Sequence, residues 1–536
     1  MKTNELLRLV ILSLILIFTA CVRGDRPASA ARLAAEPIPI QQAQAPATTI
    51  QSFTQVEGVD LNARLEAART RSRGNKSPYW SAWAFDVRPG IAVDPTINEF
   101  HGSMNTIGDT SIFIGTTASG QMIETRNLAI FVLRDSGGTQ VTRVEIYNLE
   151  KKREYSSYPV YWLGRGNNQE SLNYLGGLAE GMPTNLLAER ATLAIALHDD
   201  ARVAGLLKNF VRSSSNMRVR SSAIYWLGLV GGEQAFLADM VRNRGEDLKL
   251  RQKAAYAIGE SHDRTALATI QGLYDTMTEL EIRHSLLRAA GNNEDRDAAS
   301  AFLLKVARND QDRDTRRAAI RQLGEFDRET LVDELMKLYT GESDVELRRS
   351  VLRVLSEMKN QRAQARLLEV ARTDANVELR RSAIQLLGER GEAAIDDLLR
   401  LYDGEQSIEV QLSILRSLGE IKSERVEAKL FQVASADGNV ELRRHAIRAL
   451  GERAGQRSLK FLADTAEKAD GNQEVQLQAV RAISERSKDE AVPILIRIAR
   501  THANPAVRRQ AIRILGESGD PRAVEFFREV LAKEKS

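Results

Sequence analysis

Histidines beside carboxylates are the side chains best able to hold a metal or move a proton, and two such clusters stand out. They are His198-Asp199-Asp200 and Glu260-Ser261-His262-Asp263. Neither puts two ligands four residues apart on one helix face, the spacing a helical metal site uses. His101 is isolated, and residues 77–165 hold neither a G-x-S-x-G elbow nor a phosphate loop. Arginine is the stronger signal. The stretch NVELRRHAIRALGE (439–452) sets Arg443 and Arg444 side by side among Val440, Leu442, Ala446, Ile447 and Leu450. A guanidinium offers five donors in a planar fork that matches a carboxylate. Each arginine therefore either recognises an acidic partner or satisfies a polar group inside the fold.

The elements that position them repeat. Aligned on a Leu-Gly-Glu landmark, the Gly (or Ser) falls at 228, 259, 291, 324, 356, 388, 419, 451, 484 and 516, at intervals of 31 to 33 residues. Self-similarity of this length marks a solenoid. Each unit reads as two helices; EAAIDDLLRLYDG is helix A and SIEVQLSILRSLGE helix B between Gly388 and Gly419. A degenerate unit around LAERATLAIALHDD (187–200) caps the N-terminal end.

The motif V-x-L-R-R-x-A-I-x-x-L-G-E and its variants, over roughly residues 185–532, resemble the HEAT-like repeats of the phycobilisome-lyase type. The resemblance implies a mainly α chain, a right-handed α-solenoid of about ten or eleven helix pairs, and the aromatic and β-branched runs of residues 77–165 read as a small antiparallel β domain ahead of it. It implies little about activity, because one solenoid serves scaffolds, adaptors and a few enzymes.

Counted back from the landmark at about 100° per residue, Leu450, Ile447, Ala446 and Leu442 form the apolar face of helix B. Arg443, eight before the glycine, falls near the middle of that stripe, and Asn439, twelve before it, stands where the helix starts. The pair recurs as Asp344/Arg348, Asn376/Arg380 and Asn504/Arg508. Asn and Asp suit the N-cap, and a buried guanidinium needs its donors met. These residues are expected to form a structural ladder between adjacent repeats, as HEAT-like families do. Arg444 lies about 100° away from Arg443 by the same helical count, with Arg349, Arg381 and Arg509 as equivalents. Three before the glycine lies another row, Arg288, Arg321, Arg353, Arg416, Arg448, Arg481 and Arg513. A glutamate commonly follows the glycine, so Arg448 and Glu452 are i,i+4 neighbours. Arg349, Arg381, Arg444, Arg448, Arg509 and Arg513 are the candidates for a partner-binding surface. Such a surface, about 100 Å long at 8–10 Å per helix, suits a protein or peptide.

The N-terminus reads as an export signal: Lys2 and Arg8 precede an apolar run, Leu9 to Ala20, that ends at Cys21. FTAC (18–21) resembles the bacterial lipoprotein box, which implies lipid attachment at Cys21. A second cut remains open after Ala28-Ser29-Ala30. Residues 1–21 are thus a signal peptide with a lipobox-like end, and 22–76 a flexible tether ending in a short helix. Residues 77–165 form the β domain, with runs 127–134 and 141–149 as a hairpin, and 166–536 the solenoid. The β-domain aromatics read as core rather than as a ligand patch.

Composition excludes several classes. The 75 Lys and Arg nearly balance 72 Asp and Glu, and aromatics are 5%, which opposes nucleic-acid binding. With one cysteine the chain can build no internal disulfide and no cysteine metal cluster. A di-iron hydroxylase of this fold carries paired His-Glu dipeptides, and no histidine here precedes a glutamate. Bilin lyase chemistry is implied only by the resemblance, and export opposes it. The expectation is a non-enzymatic protein-binding scaffold or adaptor on the bacterial cell envelope, without cofactor or metal, touching the membrane only through a lipid anchor. It faces the periplasm, with the outer membrane preferred because Val22 rather than Asp follows the cysteine. The alternative is an enzyme or enzyme subunit, lyase-like or hydrolase-like, with its site in or beside the β domain.

Overall fold

The computed structural model describes residue 50 and residues 52–533, except 75, 95–99, 108–109, 118–123, 152, 154, 182–184, 454 and 469–470. Residues 100–107, 110, 114–117 and 185 are described by backbone alone. The apolar run, Cys21 and the Ala28–Ala30 site lie outside the described residues, as does the side chain of His101. The chain divides into two compact units between Gly166 and Asn167. No helix among the described residues is long and apolar enough to cross a membrane.

The first unit contains β1 (Thr54–Gln55), α1 (Leu61–Ser72), β2 (Tyr79–Ala84), β3 (Ile91–Val93), β4 (Phe100–Ile107) and β5 (Thr110–Thr117). It continues with β6 (Leu128–Arg134), β7 (Val141–Asn148) and β8 (Val160–Arg165). Five strands form one sheet in the order β1-β8-β2-β6-β7, and β3-β5-β4 form another. The expected hairpin is β6–β7. Its turn closes on Asp135, whose Oδ1 accepts from the Thr139 and Gln140 amides at 2.8 and 2.9 Å. Those amides, Gln140 foremost, hold the Asp135 carboxyl below its ordinary range. The antiparallel expectation holds for β2–β6–β7, while β8 runs parallel to β2 and β1, so the larger sheet is mixed.

The tether expected over 22–76 is corrected within 54–72, which belong to this folded unit. Leu61, Leu65 and Ala68 recur at helical spacing and are buried, Asp60 caps α1 through the Ala63 amide at 2.7 Å, and β1 adds to β8. An apolar stripe with an Asp cap is enough to dock a short helix. The aromatics are core: Trp80, Trp83, Phe131, Tyr147 and Trp162 are all buried, and Phe131 stacks on Tyr155 with centroids 5.2 Å apart.

The second unit is built of helix pairs, from Asn168–Gly181 with Asn185–Ala196 to Lys488–Thr501 with Pro505–Ser518. Among the described residues there are eleven pairs, followed by the helix Pro521–Lys533. The B helices begin at the predicted caps: Asn376 Oδ1 accepts from the Glu378 and Leu379 amides at 2.9 and 3.3 Å. Their predicted apolar face is inside, with Leu442, Ala446, Ile447 and Leu450 all buried.

The landmark glycine has a steric cause. A Cβ on Gly228 would lie 2.3 Å from the Ala257 carbonyl oxygen, and on Gly259 2.5 Å from that of Ala289. On Gly451 it would lie 2.7 Å from the Ala482 Cβ. Each contacted residue stands two before the next repeat's landmark, where Ala recurs. At these three crossings glycine meets alanine, a close approach that a larger side chain at the landmark would obstruct, while Gly291 faces Gln322 and Gly388 faces Ser417. A Cβ on Gly516, in the last helix pair among the described residues, would meet nothing within 4 Å.

Candidate partner-binding face of the solenoid

Each B helix presents arginines in two settings, and the inner one forms the ladder. Arg348, in the helix Val345–Glu357, bonds Asp374 of the next repeat; their side chains are 21% and 7% exposed. Its guanidinium lies 4.2 Å from the centroid of the Tyr339 ring, and Tyr339 donates to Asp374 at 2.6 Å. Arg283, Tyr274 and Asp310 repeat the arrangement, and Arg380 bonds Glu405 at 3.1 Å. Burial pushes Asp310 up, but bonds from Tyr274, the Asp312 amide and Arg283 outweigh it, and the carboxyl stays below its ordinary value. Burial, then the carboxylate partner, pushes the Tyr274 and Tyr339 phenols up.

Most of these arginines meet a carboxylate of the next repeat that the ladder of caps and arginines did not name. The Asn or Asp at the helix start serves as a cap, while Glu279 at the start of its helix meets Arg251 of the preceding repeat and Asp344 pairs with Arg313 at 3.0 Å. Asp344 accepts from the Glu346 and Leu347 amides at 2.8 and 3.0 Å, and Asn439 from Glu441 and Leu442 at 2.8 and 3.2 Å. Bonding to the Leu347 amide holds Asp344 below its ordinary range. Elsewhere the carboxylate that meets the arginine stands two residues before the next cap, as in Asp310, Glu342, Asp374 and Glu405, or one before it, as in Glu246. It also accepts from the cap residue's amide, at 2.8 Å from Asn376 to Asp374. An acidic residue at that position in most repeats was a sequence signal for it. For Arg443 the matching position is Asp470, outside the described residues; its Nε donates to the Ala434 carbonyl at 3.1 Å. Arg508, in the last pair, donates to the carbonyls of His502 and Ala503 at 2.5 and 2.9 Å. Asn504 caps through the Ala506 amide at 2.9 Å.

Where the arginine is replaced, its surroundings change with it. Gln411 stands in its place before Asp437, and Lys429 supplies the cation over Tyr402, 4.8 Å from the ring centroid. Gln476 faces His502 at 3.5 Å instead of a carboxylate.

The outer arginines fall into two rows. In the first, Arg349 bonds Glu346 and, at 3.2 Å, Ser382 Oγ of the next repeat. Arg381 bridges Glu378 and Glu409, both at 3.0 Å, and Arg444 bridges Glu441 and Glu474 at 3.2 and 3.3 Å. These candidates are engaged by glutamates of their own and the following helix; exposed Arg509 has no ion pair or hydrogen bond among the described residues. In the second row, Arg448 and Arg513 reach the glutamate four residues on, at 3.4 and 2.8 Å. At Arg321, Arg353, Arg416 and Arg481 that pair does not form, although Glu325, Glu357, Glu420 and Glu485 stand in place. Arginine ahead of glutamate is the weaker order on a helix. These four exposed arginines, like Arg509, have no salt bridge among the described residues and are free cations of the face.

Grooves run between successive B helices along this row. Arg321, Arg353, Ser350 and Val354 line one of ≈ 370 Å³; Arg481 and Arg513, with Lys488 and Leu495 of the intervening A helix, line another of ≈ 310 Å³. A third holds Arg416, Arg448 and His445, whose imidazole is pushed below its usual value by burial and by Arg416. The two histidine clusters do not converge on such a groove. His198 is fully buried, bonded to the Ala194 carbonyl at 2.7 Å and Ser171 Oγ at 2.9 Å, while Asp200 turns to Arg202. His262 bonds Glu294. No group of three His, Cys, Asp or Glu able to hold a metal occurs among the described residues.

The family model for HEAT repeats matches residues 300–388, 365–426, 395–471 and 465–536. Among solved structures, one of Kap95p with RanGDP is similar at 12% identity and a TM-score of 0.35, over 67% of this chain and 57% of the matched one. Kap121p bound to Pho4p is similar at 12% identity and a TM-score of 0.37, over 68% and 47%. Human deoxyhypusine hydroxylase in complex with glycerol is similar at 14% identity and a TM-score of 0.21, over 53% and 95%. This chain thus spans just over half the length of the Kap95p-complex chain it matches. No curated protein sequence matches it. Helix pairs at a period of 31 to 33 residues, with the sequence match over residues 300–536, give the second unit the fold of a HEAT-repeat solenoid.

Proposed function

We propose that this protein is a non-enzymatic binding scaffold of the bacterial cell envelope whose B-helix face takes an extended acidic segment of a partner protein. One observation carries the reading: four exposed arginines, one per repeat at a single helical position, stand without the salt bridges that occupy their neighbours. A cation already bridged between two glutamates must break those bonds to bind a partner; an unbridged one need only shed water. The Lys2–Cys21 segment, with its charged start, apolar run and cysteine, supports the envelope location.

The test is binding of a fluorescent glutamate-bearing, proline-rich peptide, measured by anisotropy against its glutamine counterpart. Binding of the first and not the second is expected, with loss when Arg321, Arg353, Arg416 and Arg481 are changed together to Gln. Equal affinity for both peptides would overturn the reading. Location is tested by globomycin treatment of cells expressing the full chain: accumulation of the uncleaved precursor is expected, and unaltered processing would remove the lipid anchor from the proposal.

A further inference from the structure

We infer that the partner segment is read in threes: a polyproline-II stretch with an acidic residue at every third position. This inference rests on the acidic-segment reading above and adds the ligand's conformation and sequence period.

The spacing comes from the stacking of the B helices. Packed helices lie about 8–10 Å apart, so each repeat moves the arginine row on by that distance. A β-strand rises about 3.3 Å per residue and turns alternate side chains to opposite faces. Its third residue lies at the right distance but on the wrong side. A polyproline-II helix rises about 3.1 Å per residue with three residues per turn. Every third side chain then returns to the same face after about 9.3 Å, one repeat further along. That conformer alone keeps register with Arg321 and Arg353, and again with Arg416, over several repeats.

Two further features agree. At the same helical position the two earliest landmark repeats carry Tyr225 and Tyr256, whose rings stack with centroids 6.3 Å apart and 21° between planes. Lys253 lies over both, 4.7 and 4.9 Å from the centroids, and Tyr256 is 36% exposed. Tyr225 is itself buried, so the exposed part of Tyr256 is the aromatic surface left for a proline ring. In addition, Glu325, Glu357, Glu420 and Glu485 form a parallel acidic row one helical turn from the arginines. The ligand residues that follow each acidic one are rotated by about 120°. They face that row and must be neutral or basic. A segment acidic at every position is therefore disfavoured, and the period matters as much as the charge.

The experiment uses the full chain and three labelled peptides of identical length and composition, all glutamate on a proline background. In one the glutamates fall at every third position, in one at every second, and in one they form a block. The every-third peptide is expected to bind at least about tenfold tighter, the value of one retained charged contact. That advantage should vanish when Arg321, Arg353, Arg416 and Arg481 become Gln, and Tyr256→Ala should weaken it several-fold. Equal affinities for the three peptides would overturn the period while leaving the acidic reading intact. Binding of none would remove the acidic reading, and the period with it.

Discussion

Arg348 and Arg353 share a helix and differ in everything else. At the seam between repeats, Arg348 is held by Asp374 and lies over Tyr339, with a side chain only 21% exposed. On the open face, Arg353 projects into a groove with no salt bridge among the described residues. Five residues of helical rotation separate an arginine that ties the fold from one free to bind. What sets the role is whether a carboxylate from the next repeat meets the guanidinium.

The largest effect should come from breaking the seam. Arg348→Ala leaves Asp374 buried without its cation and is expected to cost about 3–5 kcal/mol, read from urea unfolding followed by circular dichroism. Arg353→Ala should change stability by less than about 0.5 kcal/mol. A cost for Arg353→Ala approaching that of Arg348→Ala would erase the distinction.

Next come the crossings. Gly228→Ala forces a Cβ to 2.3 Å from a backbone oxygen and should destabilise by about 1–3 kcal/mol. Gly516→Ala meets nothing within 4 Å and should stabilise by about 0.5–1 kcal/mol through helix propensity. Thermal midpoints of the two variants should move in opposite directions.

Acid should also separate the regions. The Asp310, Asp312 and Asp344 carboxyls stand below their ordinary value. A lowered folded pKa stabilises above the unfolded pKa, about 4, and that stabilisation is lost as pH falls further. The thermal midpoint should therefore hold from pH 7 to about 5 and fall below about 4, whereas the face arginines stay charged throughout. The smallest effect on the fold is that of salt. Raising ionic strength from 0.1 to 1 M shortens the screening length from about 10 to 3 Å. Peptide affinity should drop with it, while the unfolding midpoint stays nearly constant.

Much of the seam was legible in the sequence. The 31-to-33-residue period, the buried face of Leu442, Ile447 and Leu450, and the caps at Asn376 and Asn439 follow from local periodicity and capping chemistry. The carboxylate that meets Arg348 was not read from the sequence, because Arg348 and Asp374 lie 26 residues apart and meet only through stacking. The same limit hid the occupation of Arg381 by Glu409 and of Arg444 by Glu474. In the first unit, the hairpin's Asp-Ser-Gly-Gly turn was readable locally. The parallel pairing of β8 and the docking of α1 depend on segments tens of residues apart.

The most direct test puts stability and binding on one sample: the chain with Arg321, Arg353, Arg416 and Arg481 all changed to Gln. Its urea midpoint and its affinity for the every-third glutamate peptide would be measured side by side with the unaltered chain. An unchanged midpoint with binding lost is the predicted result. Full affinity, or a midpoint lowered as far as Arg348→Ala lowers it, would contradict the division between arginines that hold the repeats together and arginines that bind.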